Sequence, residues 1–418
     1  MAEDTILIDD LAHPELTQMQ RDAIAAAPEV HMNVEAVLGA ARAATGLQDF
    51  GDDDFKERLA VWLRSFDEDG GLGPLGRATL FGECVRYAST RLRVEDLFRR
   101  HPEIGEIDID RPIMVAGLPR SGTTHLVNIL ATDPRLRSTP LWETMEPIPV
   151  PGEAGEPDPR HVRTREMWGG FEAVLPLMPA MHEMAPEHVH EDIELQGPDF
   201  SSYLPEWLSR PYRWRDYYDA HDQTPHYRYA RRVMQALTWL RGPNRWVVKS
   251  PPHMENLPAL MRVHPGAVVP ITHRDPVAVL QSAITMLAYG DRIRRSRIDL
   301  TELAEYWIDR IERLLRACVR DRDMVPDDQS IDILFHEYMA DQKATVARVY
   351  AKADLDLTAE AEARIDGFLA DNPRGKHGRV SYDLIGDFGV DIGAVRERFQ
   401  FYYDRFPVKR EAVKGERI

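Results

Sequence analysis

Hydrophobic and polar positions follow two regimes along the 418 residues. Up to about residue 105 the apolar residues recur at helical spacing. "NVEAVLGAARAATG" runs to a stop at Gly46, and "DDDFKERLAVWLRSF" opens on candidate Asp caps with Phe55, Leu59, Trp62 and Leu63 on one face. "LGRATLFGECVRYASTRLRVEDLFRRH" keeps the same period. Residues 1–105 therefore read as a mainly helical N-terminal region. From residue 106 onward, short apolar runs alternate with helical ones. Residues 113–116 have the length and continuity of a strand buried on both faces, and 246–248, 267–272 and 331–335 repeat the pattern. Between them, Leu126, Ile129 and Leu130 mark one helix. Val277, Leu280, Ile284 and Leu287, led by Pro276, mark another, and an amphipathic run covers about 299–321. Strands separated by helices predict an α/β fold, a three-layer parallel sheet flanked by helices, over 106–418.

One interval breaks that rhythm. About 141–240 is rich in Pro, Met, His and aromatic residues, and it reads as a helical insertion whose Met and aromatic side chains suit an apolar pocket. Within it, "VPGEAGEPDPR" at 150–160 reads as an exposed loop.

The candidate chemistry sits at strand ends. The run 113–116 leads into "GLPRSGTT", a loop with Gly117 and Gly122 as its posts and a helix after it. Strand, tight loop and helix N-terminus make an anion cradle, which Ser121, Gly122, Thr123 and Thr124 would line. The glycine spacing is that of a nucleotide-binding P-loop, a three-layer fold of the NTPase type, but Thr123 stands where the P-loop lysine belongs and the cation has moved to Arg120. Such a loop suits a 5′-phosphate better than a nucleoside triphosphate. Lys249 and Arg274 also fall just after apolar runs, so Arg120, Lys249 and Arg274 should converge on one edge of the sheet. Ser282 follows Arg274 on the next helix.

Three segments, "GLPRSGTT", "VVKSPPH" and "THRDPVAVLQS", resemble those of sulfotransferases that use 3′-phosphoadenosine 5′-phosphosulfate (PAPS). The likeness runs from about Asp110 to His377 and is closest to bacterial members with a helical N-terminal extension. It implies that the first segment holds the 5′-phosphosulfate and that Lys249 contacts the transferred group. It also implies that Arg274 and Ser282 bind the 3′-phosphate. "DNPRGKHGRVSYDL" resembles the family's basic C-terminal loop, with Arg374 and Lys376 toward the same phosphate, although the residue order differs from the usual Arg-Lys-Gly. Family members that act on small molecules place a histidine two residues after the lysine, where this chain has Pro251. The base is therefore sought at Glu143 in "PLWETMEP", then at His182, then at His253. The expected reaction moves a sulfuryl group from PAPS to a hydroxyl or amine of a small, apolar acceptor, releasing adenosine 3′,5′-bisphosphate (PAP) without a metal. A P-loop kinase or NTPase, or a non-catalytic nucleotide-binding protein on the same fold, are the alternatives.

Composition narrows the partners. A net charge of −17 disfavours nucleic acid, so an anionic donor must meet a local basic patch. Two cysteines, Cys84 and Cys318, argue against a disulfide framework or a Cys-based zinc site. The acidic opening "MAEDTILIDD" and the lack of any long apolar run give the expectation of a cytoplasmic protein without an integral membrane segment. Lipid, sterol, phenol and glycan alcohols all remain open as acceptors.

Overall fold

Five parallel strands carry the fold. In the computed structural model, which describes residues 5–153, 155–373, 376 and 378–416, a short β1 (Thr5–Ile6) pairs far along the chain with β7 (Arg379–Val380). The main sheet holds β2 (Ile113–Gly117), β3 (Leu136–Arg137), β4 (Arg245–Lys249), β5 (Val269–His273) and β6 (Ser330–Leu334) in the order β3-β4-β2-β5-β6. Every residue of β2 is buried, as its unbroken apolar run requires. Its side chains alternate between two cores: Met114 and Ala116 face one, Ile113 and Val115 the other. The chain leaves β2 for the edge strand β3, returns to β4, and then crosses to β5 on the opposite side of β2. The order therefore reverses at β2, and ligands in such sheets bind beyond the strand ends at that point.

The predicted parallel α/β sheet is present, with local shifts. The run at 267–272 pairs as Val269–His273, and that at 331–335 as Ser330–Leu334, because Phe335 already begins a helix. The two-residue β3 lies beside the start of β4, Leu136 against Arg245.

The chain before the sheet is helical: α1 (Val34–Thr45), α2 (Phe55–Glu68) and the 27-residue α3 (Pro74–Arg100). Gly46 ends α1 in the left-handed region at φ +73°, where glycine carries no Cβ penalty. The candidate Asp cap of α2 does not form. Asp54 makes no side-chain cap bond, and its carboxylate accepts from Arg58 instead, at 3.0 Å. Phe55, Leu59, Trp62 and Leu63 are buried on one face as predicted, packed with Tyr87 of α3 and with Phe200 and Trp214 of the insertion. The N-terminal helices and the insertion thus share a core.

Three further helices frame the site: α4 (Thr123–Leu130), α5 (Thr224–Arg241) and α6 (Pro276–Arg294). The last was expected to bury one stripe. It is buried on nearly every side, Ser282, Asp291 and Arg294 included, because helices pack around it. Behind it runs α7 (Leu300–Asp321), whose fully buried Arg310 bonds both Glu206 of the insertion and Glu255 after β4. Among the described residues, no helix is long and apolar enough to cross a membrane.

Candidate active site

The loop after β2 needs its glycines. Gly117 sits at φ +154°, and a Cβ there would lie 2.0 Å from Thr272 Oγ1 of β5. Gly122, at φ +88°, occupies the cap position of α4 without any side-chain cap bond. The first-turn N–H groups of α4, from Thr123 and Thr124 onward, therefore have no partner within the helix and are available to an anion. Ser121 builds this cradle but does not line it with its hydroxyl. That hydroxyl is fully buried and bonds Leu118 O at 2.5 Å and Thr272 Oγ1 at 2.6 Å. Ser121 thus contributes its backbone to the cradle while its side chain braces the loop.

Arg120 stands between the glycines with φ +64°, a conformation that is strained for a residue with a Cβ. Its backbone is held there by Arg274, which donates through Nη1 to Arg120 O at 2.5 Å. The Arg120 side chain reaches Ser282 of α6, Nε to Oγ at 3.0 Å, and Ser282 in turn donates to Tyr382 Oη at 3.2 Å. Burial pulls the Arg120 guanidinium below its ordinary value, and the nearby Arg274 charge adds to this, while Tyr382 opposes both. Arg274 leaves the end of β5, lies over the Phe335 ring at 4.1 Å, and forms a bidentate pair with Glu411 at 2.7 and 2.8 Å. The β2 loop, the β5 end and α6 thus bring Arg120, Arg274 and Ser282 together. Tyr382 was missed in the sequence, where a lone tyrosine after "GRVS" carries no signal.

Lys249, at the end of β4, is buried and ion-paired with Glu191. The segment carrying Glu191 is strapped across the strand ends. His190 N donates to Thr139 O and Asp192 N to Lys249 O, both at 3.1 Å, while Asn128 of α4 holds both backbone groups of Val189. Three histidines gather beside it. The His182 ring lies 6.4 Å from that of His190, and burial lowers His182 far below its ordinary value, with His190, Arg120 and Lys249 adding to the shift. Burial and then Lys249 bring His190 down to about 3, and burial lowers His188 as well. These imidazoles are neutral at pH 7.

Two candidate bases lie elsewhere. Glu143 is fully buried, accepting from Arg137 at 3.4 Å and from Arg241 at 2.7 Å. The carboxylate is held in an ion-pair cluster between β3 and the end of α5, and its described contacts are with those two arginines. His253 is enclosed between Tyr227 Oη, at 2.8 Å, and Asp192 Oδ2, at 3.1 Å. Lys376 contacts Asn372 Oδ1 at 3.2 Å and Glu183 at 3.8 Å, and touches neither Arg274 nor Ser282 in the described contacts. It lines, with His125, Met181 and Met339, a cleft of about 470 Å³ beside α4. Arg374 lies outside the described residues.

A glycine-bounded anion cradle at the switch point of a parallel sheet, with its cation inside the loop and Thr123 in the lysine position, defines a P-loop-like group-transfer enzyme distinct from NTPases. The chain belongs to the sulfotransferase family, whose model matches residues 112–359. Among solved structures, it is similar to sulfotransferase STF1 of Mycobacterium tuberculosis H37Rv at 28% identity, covering 88% of this chain and 98% of that one, with a TM-score of 0.77. It is also similar to sulfotransferase STF9 of Mycobacterium avium at 26% identity, covering 93% and 100%, with a TM-score of 0.82. No curated protein matches it. The family carries PAPS-dependent sulfuryl transfer, and both relatives match over spans that reach into the helical N-terminal region.

Proposed function

We propose that this enzyme transfers the sulfuryl group of PAPS to a hydroxyl or amine of a small, apolar acceptor and releases PAP. The observation that carries the reading is the contact set joining Arg120, Ser282 and Arg274 beside an uncapped helix N-terminus. The residues fit an anionic nucleotide. A cradle closed to any Cβ at Gly117 leaves backbone N–H groups of Gly122, Thr123 and Thr124, with the threonine hydroxyls, for the 5′-phosphate. Arg274 and Ser282 take the 3′-phosphate, a guanidinium and a hydroxyl being suitable donors to it. Lys376 borders the adjoining cleft and supports the nucleoside end.

The bound donor supplies an activated sulfuryl group, and the chain's own side chains do the rest. Lys249 and Arg120 stabilise the negative charge that grows on the oxygen bridging sulfur and phosphorus as that bond breaks, an interaction stronger in the transition state than before it. His182 accepts the proton of the acceptor as the new bond to sulfur forms. Its neutral ring is in the required protonation state, and donor phosphates oppose the Arg120 and Lys249 charges, which add to the effect of burial and of His190 on its basicity. Buried Met178, Met181 and Met184 around His182 suit an apolar acceptor. We assign residues 1–105 to a helical extension and 106–418 to the transferase domain with its insertion at about 141–240.

Calorimetry with PAP, 5′-AMP and Mg-ATP tests the reading. Metal-independent PAP binding that weakens sharply in Arg274→Ala is expected. Preference for Mg-ATP, or indifference to the 3′-phosphate, overturns it.

A further inference from the structure

The pair between Arg274 and Glu411 has no counterpart in the sequence motifs, and its geometry is that of a built support. Glu411 presents both carboxylate oxygens to one edge of the guanidinium, at 2.7 Å from Nε and 2.8 Å from Nη2. The backbone on either side of that carboxylate is itself fixed. Glu411 N donates to Asp275 Oδ2 at 2.7 Å, and Arg396 Nη2 donates to Glu411 O at 2.9 Å. Asp275 is fully buried and accepts from the Val277 amide at the start of α6, from Tyr403 and from Arg396. The C-terminal segment is thus anchored to the residue next to Arg274, so the carboxylate stands at a fixed place.

The guanidinium is consequently held on three sides: by Glu411 along its Nε–Nη2 edge, by Phe335 beneath its face, and by Arg120 O at Nη1. An arginine carries five N–H donors. Three are engaged in these contacts, which leaves one on Nη1 and one on Nη2 for an outside anion. An arginine side chain left free loses much rotamer entropy when it binds, and a preorganised one loses little.

We propose that Glu411 is a positioning residue for the nucleotide: it orients Arg274 so that the remaining donors meet the 3′-phosphate. The C-terminal segment, beyond the residues matched by the family model, therefore takes part in discriminating 3′-phosphorylated nucleotides from 5′-AMP. The inference rests on the assignment of Arg274 to the 3′-phosphate.

The experiment is calorimetric binding of PAP and of 5′-AMP to the full chain and to Glu411→Ala, Glu411→Gln and Arg274→Ala. Both Glu411 variants should lose PAP affinity by about tenfold, the scale on which removal of an orienting partner acts on a ligating group. Their 5′-AMP affinity should be unchanged, which also reports an intact fold. PAP affinity that stays the same or rises in both Glu411 variants overturns the proposal, a rise marking the carboxylate as a competitor of the phosphate. Equal losses for PAP and 5′-AMP overturn it too. If Arg274→Ala itself keeps the PAP preference, the assignment of Arg274 fails. Loss of preference in Arg274→Ala alone overturns only the role of Glu411.

Discussion

Lys249→Ala separates a catalytic lysine from a structural one. The Lys249 side chain is only 1% exposed, so its charge acts through protein and not through water. Removing a single preorganised donor from the place where charge develops raises a barrier by about 3 to 4 kcal/mol, or roughly a hundred- to a thousandfold in kcat. PAP lacks the sulfuryl group, so its affinity should change by no more than about threefold. The assay is PAP release from PAPS with a panel of small phenols and alcohols as acceptors. The variant also strips Glu191, 13% exposed, of its partner. The cost in stability should fall below the roughly 3–5 kcal/mol of breaking a fully buried pair, since Glu191 keeps some solvent. Glu191→Gln added to Lys249→Ala should therefore recover Tm without recovering the rate. A double variant that regains both shows the lysine to be only the counter-ion of Glu191, and the catalytic argument is then refuted.

Glu143→Gln should keep kcat within about twofold in folded enzyme, since the carboxylate serves Arg137 and Arg241 and contacts no site group; a loss of two orders of magnitude in PAP release restores Glu143 as the base. Arg310→Ala leaves Glu206 and Glu255 buried and unpaired, and urea unfolding should show a loss of about 3–5 kcal/mol. A loss under about 1 kcal/mol contradicts that account. Burial brings His264 down to about 4, so between pH 6.5 and 4 the unfolded chain binds a proton that the folded chain refuses, and stability falls as pH falls. Unfolding free energies at pH 6.5 and 5 should differ by about 1.5 kcal/mol more in the parent than in His264→Asn. Equal slopes in the two proteins remove His264 from the acid limb.

What could be read from the sequence depended on range. Strands β2, β4, β5 and β6 announced themselves because strands covered on both faces are unbroken apolar runs. The two residues of β3 gave no such signal, and their pairing is imposed by the neighbouring Arg245 and Trp246. The convergence of Arg120, Lys249 and Arg274 was legible because a parallel sheet aligns its strand ends, whatever the intervening chain does. The partners of those cations were not. Glu191 lies 58 residues from Lys249, and Glu411 lies 137 from Arg274, so only the folded topology makes them neighbours. The partners of Glu143 were hidden for the same reason. Its motif sits in the right stretch, but Arg241, 98 residues away, claims the carboxylate.

Those partners bear on how an acidic chain handles an acidic donor. Two of the three site cations carry a carboxylate: Glu191 on Lys249 and Glu411 on Arg274. The described contacts of the Arg120 side chain are with hydroxyls, those of Ser282 and Tyr382. A carboxylate fixes a cation in place but cancels part of its field, whereas a hydroxyl orients with little cancellation. In the proposed site, Arg120 thus keeps most of its charge for an incoming anion, while Lys249 and Arg274 trade field for position. The segment behind Glu191 is in turn secured by α3, whose Arg86 and Tyr87 bond Glu194 at 2.7 and 2.8 Å. On the proposed assignment, the sheet supplies the cations, and the N-terminal helices and C-terminal segment set how much of each charge the donor meets.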